Sequence, residues 1–292
     1  MSFKSKLAII GGSRSYDLLR ENKLGEEVES KIVETPFGQS APIHFFQDDS
    51  IEYLFMSRHG EERYSTAAPF VNYRANIWGL KELGVERIIS WSGPGIINDR
   101  YRVGEIAIPS DLIDETKNRL NTFFEKRGLG FIRQSEPFCP IIREALNGSL
   151  ANLGINHRKE GVYLCTEGPR LETPAEITKY KIIGGDLVGM TLIPEVFLAR
   201  ELEICYASIC YLTNYAEGVR DRRYKGGKLF EGMQDEEEHA AVEAALCNIP
   251  RIIKEAISIL NDIDRDCLCK DAMLRYKKNG VIDNNWRDWI KG

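Results

Sequence analysis

The sequence offers no long hydrophobic run near its start. The apolar segment 7–10 follows six N-terminal residues and is far too short for a signal-peptide core or a membrane span. A cytoplasmic protein without a membrane partner is the expectation. A basic stripe is missing as well. The 39 Lys and Arg residues interleave with 44 Asp and Glu, for a formal net charge of −5, whereas a nucleic-acid backbone needs concentrated positive charge. Local basic clusters such as Arg220, Arg222, Arg223 and Lys225 read as solvated loops, so no nucleic-acid partner is expected. Neither internal repeats nor low-complexity linkers occur, which favours one domain. Cysteine is sparse, seven in all. Cys139, Cys165, Cys205, Cys210 and Cys247 sit in apolar contexts and read as reduced, buried thiols. Cys267-Leu268-Cys269 is a single dithiol with no second cluster nearby, a poor zinc ligand set, and reads as two free thiols beside a C-terminal helix. No metal site is expected.

What is present suffices for a large core. A chain near this length buries roughly 75% of its unfolded surface on folding, and 43% hydrophobic residues, with 10% aromatic, supply the material. Apolar, β-branched runs at 7–10, 43–46, 53–56, 87–91, 104–108, 161–165, 187–190 and 205–212 predict strands. Amphipathic stretches at 71–83, 140–153, 174–183, 194–203 and 235–260 predict helices, several with proline in the first turn. The acids Glu236, Glu237 and Glu238 suit a helix N-terminus. Alternating strands and helices imply a twisted α/β sheet covered on both sides. The tail after residue 261 is polar, with scattered Trp286 and Trp289.

Chemistry-bearing residues gather just after the predicted strands. Ile9-Ile10-Gly11-Gly12-Ser13 ends a strand in two glycines and a hydroxyl, which lets backbone N–H groups approach an anion. It lacks the third glycine of a dinucleotide-binding turn, which counts against a nicotinamide-dependent oxidoreductase. Arg58-His59-Gly60 follows strand 53–56 and could grip phosphate oxygens; taken alone, it also fits an internal Arg–carboxylate pair. Trp91-Ser92-Gly93-Pro94-Gly95 leaves room for a flat ligand, or is a tight turn. Thr166 to Thr173 carries Glu167, Arg170 and Glu172; Gly189-Met190-Thr191 and Thr213-Asn214-Tyr215-Ala216 complete the set. Ligands in open α/β sheets bind at the carboxyl ends of strands, so the pattern argues for one composite site.

In order and spacing these segments resemble the trimeric purine nucleoside phosphorylases, in particular the methylthioadenosine and methylthioinosine phosphorylase branch. The likeness runs from about residue 7 to about residue 260. It includes Thr35-Pro36-Phe37-Gly38, Val71-Asn72-Tyr73-Arg74-Ala75-Asn76, Glu136-Pro137-Phe138-Cys139-Pro140 and Met190-Thr191-Leu192-Ile193-Pro194-Glu195. The resemblance implies a single-domain twisted mixed β-sheet flanked by helices over residues 1–261, with 262–292 as a C-terminal extension packed on it. It further implies a homotrimer or dimer of trimers, no organic cofactor and no metal, with inorganic phosphate as co-substrate. Ser13, Arg58, His59, Ser92, Gly93 and Thr191 would hold phosphate. Gly93, Leu171 and Met190 would wall the purine, with Glu172, Asn214 and Ala216 at its polar edge. Phe131 matches a position lent by a neighbouring subunit to the sugar's 5′ end. Arg58, His59 and Asn214 would carry the catalysis.

Asn214 and Ala216 stand where adenine-specific members of that family carry two aspartates. An amide can donate to a 6-oxo group and accept from a protonated N7, and Glu172 can accept from N1–H, so inosine, guanosine or 5′-methylthioinosine is the expected substrate. A methylthioadenosine phosphorylase and a non-catalytic purine-binding homologue are the alternatives. The sequence departs from the family pattern at Arg14, which reshapes the first loop or adds a phosphate contact, at Trp91 and Pro94 in the base-side loop, and at Phe131.

Overall fold

The computed structural model describes residues 4–48, 51–62, 64–221 and 236–291. Its strands run in chain order as β1 (Leu7–Gly11), β2 (Glu26–Lys31), β3 (Glu34–Thr35), β4 (Gly38–Gln39), β5 (Ile43–Asp48), β6 (Ile51–Ser57), β7 (Arg87–Ser92) and β8 (Gly95–Ile96). They continue as β9 (Ile106–Ala107), β10 (Asp111–Glu115), β11 (His157–Arg158), β12 (Val162–Thr166), β13 (Leu187–Gly189), β14 (Cys205–Tyr211) and β15 (Asn214–Tyr215). The α-helices are α1 (Ser15–Arg20), α2 (Tyr73–Glu82), α3 (Pro140–Asn152), α4 (Pro174–Ile182), α5 (Leu192–Glu201), α6 (Glu236–Asn261) and α7 (Leu274–Lys278).

The most apolar runs pair side by side as parallel strands. Ile9 of β1 lies opposite Phe55 of β6 and Ile89 of β7, and Ile89 lies opposite Ala207 of β14. Every residue of β1 and β14 is buried, which is why these strands read as continuous apolar runs without alternation. Antiparallel pairings extend both edges, giving the order β11-β9-β14-β7-β1-β6-β5-β2. A second sheet, β10-β12-β13-β8-β15, and the β3–β4 hairpin complete the mixed architecture.

Helix signals translate directly. Thr173 caps α4 in a reciprocal capping box with Glu176, and Pro174 occupies the first turn. Helix α6 turns Val242, Leu246, Ile249, Ile253, Ile257 and Leu260 inward and packs against α3.

Several boundaries differ from the sequence reading. The predicted strand 104–108 shrinks to β9, because residues 102–105 close a turn in which Glu105 N–H reaches Arg102 O at 3.1 Å. The helix read as 194–203 begins at Leu192 and is interrupted at Ile193, whose φ/ψ of −105°/130° are extended. Strand β2, Glu-Glu-Val-Glu-Ser-Lys, is exposed throughout and so carries no apolar signal. Asp235, Arg222, Arg223 and Lys225 lie outside the described residues.

The C-terminal extension makes specific contacts. Trp289 is buried and its indole N–H donates to Asp283 O at 2.9 Å; Trp286 packs edge-on against Trp78, and Arg287 forks onto Glu82.

One buried acid sets a pH dependence. Glu201 on α5 accepts from the Thr122 hydroxyl at 2.6 Å and the Phe123 N–H at 2.7 Å. Burial pushes its carboxyl up from 4.5 to about 7, these hydrogen bonds offsetting only part of the effect. Between those values the folded chain keeps a proton that the unfolded chain has released, so stability falls as pH rises across the window. The Tm of the native chain is expected to decline more steeply there than that of a Glu201→Gln variant; parallel slopes in a thermal-melt series would exclude Glu201 as the cause.

Candidate active site

The site is built from the ends of several strands. After β1, the Gly11-Gly12 turn presses against the end of β7: a Cβ on Gly12 would lie 2.4 Å from the Trp91 carbonyl oxygen. Close backbone packing therefore demands glycine here. It delivers Ser13, whose carbonyl accepts from the Tyr211 hydroxyl at 3.1 Å. Arg14 takes a left-handed conformation, φ 63°, and its guanidinium pairs with Asp17 and Glu243. Those carboxylates, with no anion needed, are its partners.

After β6 come Arg58 and His59. The Arg58 side chain is fully buried and forks onto Glu195 of α5, Nε to Oε1 at 2.5 Å and Nη2 to Oε2 at 2.8 Å, while Nη1 donates to Trp91 O at 3.2 Å. Tyr206 OH also donates to Glu195 Oε2 at 2.7 Å, and the Ser90 hydroxyl lies 2.7 Å from Tyr206 OH. The internal-pair reading of Arg58 thus holds, and the charge it brings to the site is fixed in place. Burial, reinforced by the Arg58 charge, lowers the pKa of His59 to about 3, so the ring is neutral at physiological pH. Its Nδ1 lies 2.8 Å from the Thr66 carbonyl. A neutral ring donates there, leaving Nε2 as an acceptor. Tyr64 stacks on the imidazole at 4.1 Å.

After β7, Ser92 Oγ lies 3.2 Å from Tyr163 OH and 3.4 Å from Thr191 Oγ1, so strands of both sheets bring three hydroxyls together. Gly93 has no room for a side chain: a Cβ would meet Thr213 and Tyr211 at 2.9 Å each. Trp91 itself packs in the core against Phe55 and is not part of a base-side loop. That corrects the sequence reading.

Ser13, Arg58, His59, Ser92, Gly93, Leu171, Glu172, Met190, Thr191, Asn214 and Ala216 line one cavity of about 110 Å³. An adjoining cavity of about 490 Å³ shares Ser13, Tyr64, Gly93 and Thr213 with it, so together they reach the size of a small-molecule site. Phe131 is elsewhere, largely exposed, with its N–H donating to Tyr276 OH at 3.0 Å. A larger open cleft of about 1300 Å³, bordered by Leu7 and Arg87, sits at the amino ends of β1 and β7. Open α/β sheets bind ligands at the opposite ends, and the hydroxyl set converges there.

On the polar wall, Glu172 is buried and accepts from Thr166 Oγ1 at 2.6 Å through Oε1. Asn214 accepts from the Thr213 hydroxyl at 2.7 Å and donates to Tyr215 O at 3.0 Å, which fixes the orientation of its amide and leaves each end one further bond. The ends of six strands, β1, β6, β7, β12, β13 and β14, therefore line one cavity in which hydroxyls stand beside an amide and a carboxylate. Residues 6–258 match the family model described as the Phosphorylase superfamily.

The chain belongs to the phosphorylase superfamily.

This phosphorylase is 42% identical over 276 residues to the 6-oxopurine nucleoside phosphorylase of Pyrococcus furiosus, covering 92% of this chain and 97% of that one. It is 40% identical over 270 residues to a probable S-methyl-5′-thioinosine phosphorylase of Thermodesulfovibrio yellowstonii, covering 92% and 96%. Among solved structures, the Schistosoma mansoni methylthioadenosine phosphorylase in complex with adenine superposes with a TM-score of 0.78 at 28% identity, over 89% of this chain and 93% of that one.

The fold also reveals supports that sequence reading missed. Arg119 lies in an unremarkable polar stretch, yet its buried guanidinium donates to the carbonyls of Glu167, Met190 and Ile193 and to Tyr73 OH. It ties the loop after β12 to the loop after β13 and so positions Met190 and Thr191. Arg119→Met is expected to raise the KM for nucleoside by tenfold or so, about 1.4 kcal/mol, with a smaller change in kcat. Steady-state kinetics that leave KM untouched would exclude this positioning role.

Proposed function

We propose that this phosphorylase cleaves the N-glycosidic bond of purine nucleosides with inorganic phosphate, releasing free purine and ribose 1-phosphate or its 5-methylthio analogue, and that it prefers 6-oxopurines. The observation that carries the reading is that Glu172 and Asn214 face the same cavity as Ser13, Ser92 and Thr191. One end of the cavity suits an oxyanion and the other a heterocycle edge able to both donate and accept. The reading needs no organic cofactor and no metal at this site, phosphate being the co-substrate.

Chemistry follows from that arrangement. Glycosidic cleavage passes through an oxocarbenium-like sugar, so negative phosphate beneath C1′ stabilises the cation and is positioned to capture it. The Ser13, Ser92 and Thr191 hydroxyls donate to phosphate oxygens, the buried Arg58 supplies fixed positive charge, and the His59 Nε2 lone pair accepts from a phosphate O–H. On the leaving group, Asn214 Nδ2 donates its remaining N–H to the 6-oxo oxygen while Oδ1 accepts from N7–H, the proton being taken up at N7 from solvent as electrons of the breaking glycosidic bond pass to the purine. Glu172 Oε2 accepts from N1–H. Met190 and Leu171 wall the ring, and Ala216 leaves the 6-oxo side free of a second carboxylate.

The resemblance to trimeric relatives supports a homotrimer or a dimer of trimers in which Phe131 of one subunit reaches the sugar's 5′ end in the next. Among the described residues no helix is long and apolar enough to cross a membrane.

Free-base release from inosine, guanosine, 5′-methylthioinosine, adenosine and 5′-methylthioadenosine, each with and without phosphate, tests the reading. Release is expected only with phosphate and faster for the 6-oxopurines. Phosphate-independent release, or a higher kcat/KM for 5′-methylthioadenosine than for all three 6-oxopurines, would overturn it.

A further inference from the structure

Sequence alone presents Cys267 and Cys269 as an isolated dithiol, but the fold supplies the missing half of a ligand set. Cys139, immediately before α3, and Cys205, the first residue of β14, meet both of them. The four Sγ atoms all lie within 4.8 Å of one another, with Cys205 to Cys267 at 3.4 Å and Cys139 to Cys267 at 3.8 Å. A tetrahedral zinc tetrathiolate with Zn–S bonds of about 2.3 Å places its sulfurs about 3.8 Å apart. Four soft ligands at that spacing, three of them buried and one half-buried, form a closed set with no open position. The surroundings suit thiolates: Arg265 Nε donates to Cys205 Sγ at 3.5 Å, while its Nη2 is held by Glu203 O at 2.6 Å.

We propose that Cys139, Cys205, Cys267 and Cys269 bind one structural zinc ion that fastens the C-terminal extension to the phosphorylase core. Cys139 and Cys205 lie inside the residues matched by the family model, 6–258, and Cys267 and Cys269 lie beyond them. The ion therefore joins segments that are far apart in sequence. Cys205 opens β14 whereas Thr213 and Asn214 follow its other end, so the metal and the active site occupy opposite ends of the sheet. The role is architectural and leaves the reaction untouched. Lys277 bonded to Glu203 at 2.5 Å and the buried Trp289 then secure the chain beyond the ion.

The test uses the full chain purified under reductant and reconstituted anaerobically with zinc. Elemental analysis is expected to give one zinc per chain, and cobalt substitution to give thiolate-to-metal charge-transfer bands together with tetrahedral d–d bands. The double substitution Cys267→Ser and Cys269→Ser is expected to abolish both signals and lower Tm by roughly 5–10 °C, with phosphorolysis at moderate temperature unchanged. Chelator should lower the Tm of the native chain and leave that of the variant in place. A native chain that takes up no zinc, that holds iron in its stead, or whose mass shows the four cysteines joined as two disulfides would overturn the proposal.

Discussion

Truncating Glu195 to alanine is expected to cost about 3–5 kcal/mol of stability, and to lower Tm by roughly 10 °C. Both partners are buried, the Arg58 side chain at 0% exposure and that of Glu195 at 2%, so removing the carboxylate strands a guanidinium in the core. Burial opposes that charge, but Glu195 more than compensates and holds Arg58 protonated. The loss extends to Tyr206, whose hydroxyl would lack its acceptor in the Ser90–Tyr206–Glu195 chain. Removing both charges, as Arg58→Met with Glu195→Leu, should recover much of the lost stability, because an apolar pair of similar volume has no desolvation penalty. Activity should not recover with it. If Arg58 supplies the fixed positive charge under phosphate, the double variant remains at least tenfold impaired in kcat/KM for phosphate, about 1.4 kcal/mol of lost transition-state stabilisation. Melting curves and phosphate kinetics on the two variants separate the two roles. A Glu195→Ala chain that melts like the native one would refute the first, and a double variant with native phosphate kinetics the second.

The same pair shows where sequence was informative and where it stopped. Ser13, His59, Ser92 and Thr191 were legible because each follows an apolar run, and strands buried on both faces announce themselves by that apolarity. Glu195 lies 137 positions from Arg58, and no local pattern marks it as that residue's partner. Arg119 sits among polar neighbours, and its work is done on backbone carbonyls, which leave no trace in side-chain pattern. Strand β2 was invisible because its residues are exposed and charged; pairing with β5, not burial, makes it a strand. Trp91 misled in the opposite direction, since adjacency to Ser92 and Gly93 suggested a pocket residue while alternation along β7 turns its ring into the core. Cysteine spacing failed for a related reason. Ligand sets assembled from three segments have no motif until the fold closes.

Replacing Asn214 with aspartate is expected to lower kcat/KM for inosine by about 10²–10³-fold, while adenosine loses far less or gains. In the native chain the Thr213 hydroxyl fixes Oδ1 and Tyr215 O fixes Nδ2, so the amide presents a defined donor and a defined acceptor to the base. Aspartate puts an oxygen where Nδ2 met the Tyr215 carbonyl. Two acceptors then face each other, which favours the protonated acid, with its O–H turned either to Tyr215 or to the base. In the first case, which the adjacent Tyr215 carbonyl favours, the bond to the 6-oxo oxygen is lost and a lone pair is freed to accept from a 6-amino group; in the second the O–H still donates to the 6-oxo oxygen. Adding Ala216→Asp supplies a second acceptor on the same edge and should extend the shift toward adenosine. The decisive quantity is the ratio of kcat/KM for inosine to that for adenosine. Damage to folding, phosphate binding or sugar contacts scales both substrates alike and cancels in the ratio, whereas a change in base recognition does not. An unchanged ratio in Asn214→Asp, with both rates depressed, would show that Asn214 shapes the loop without reading the purine.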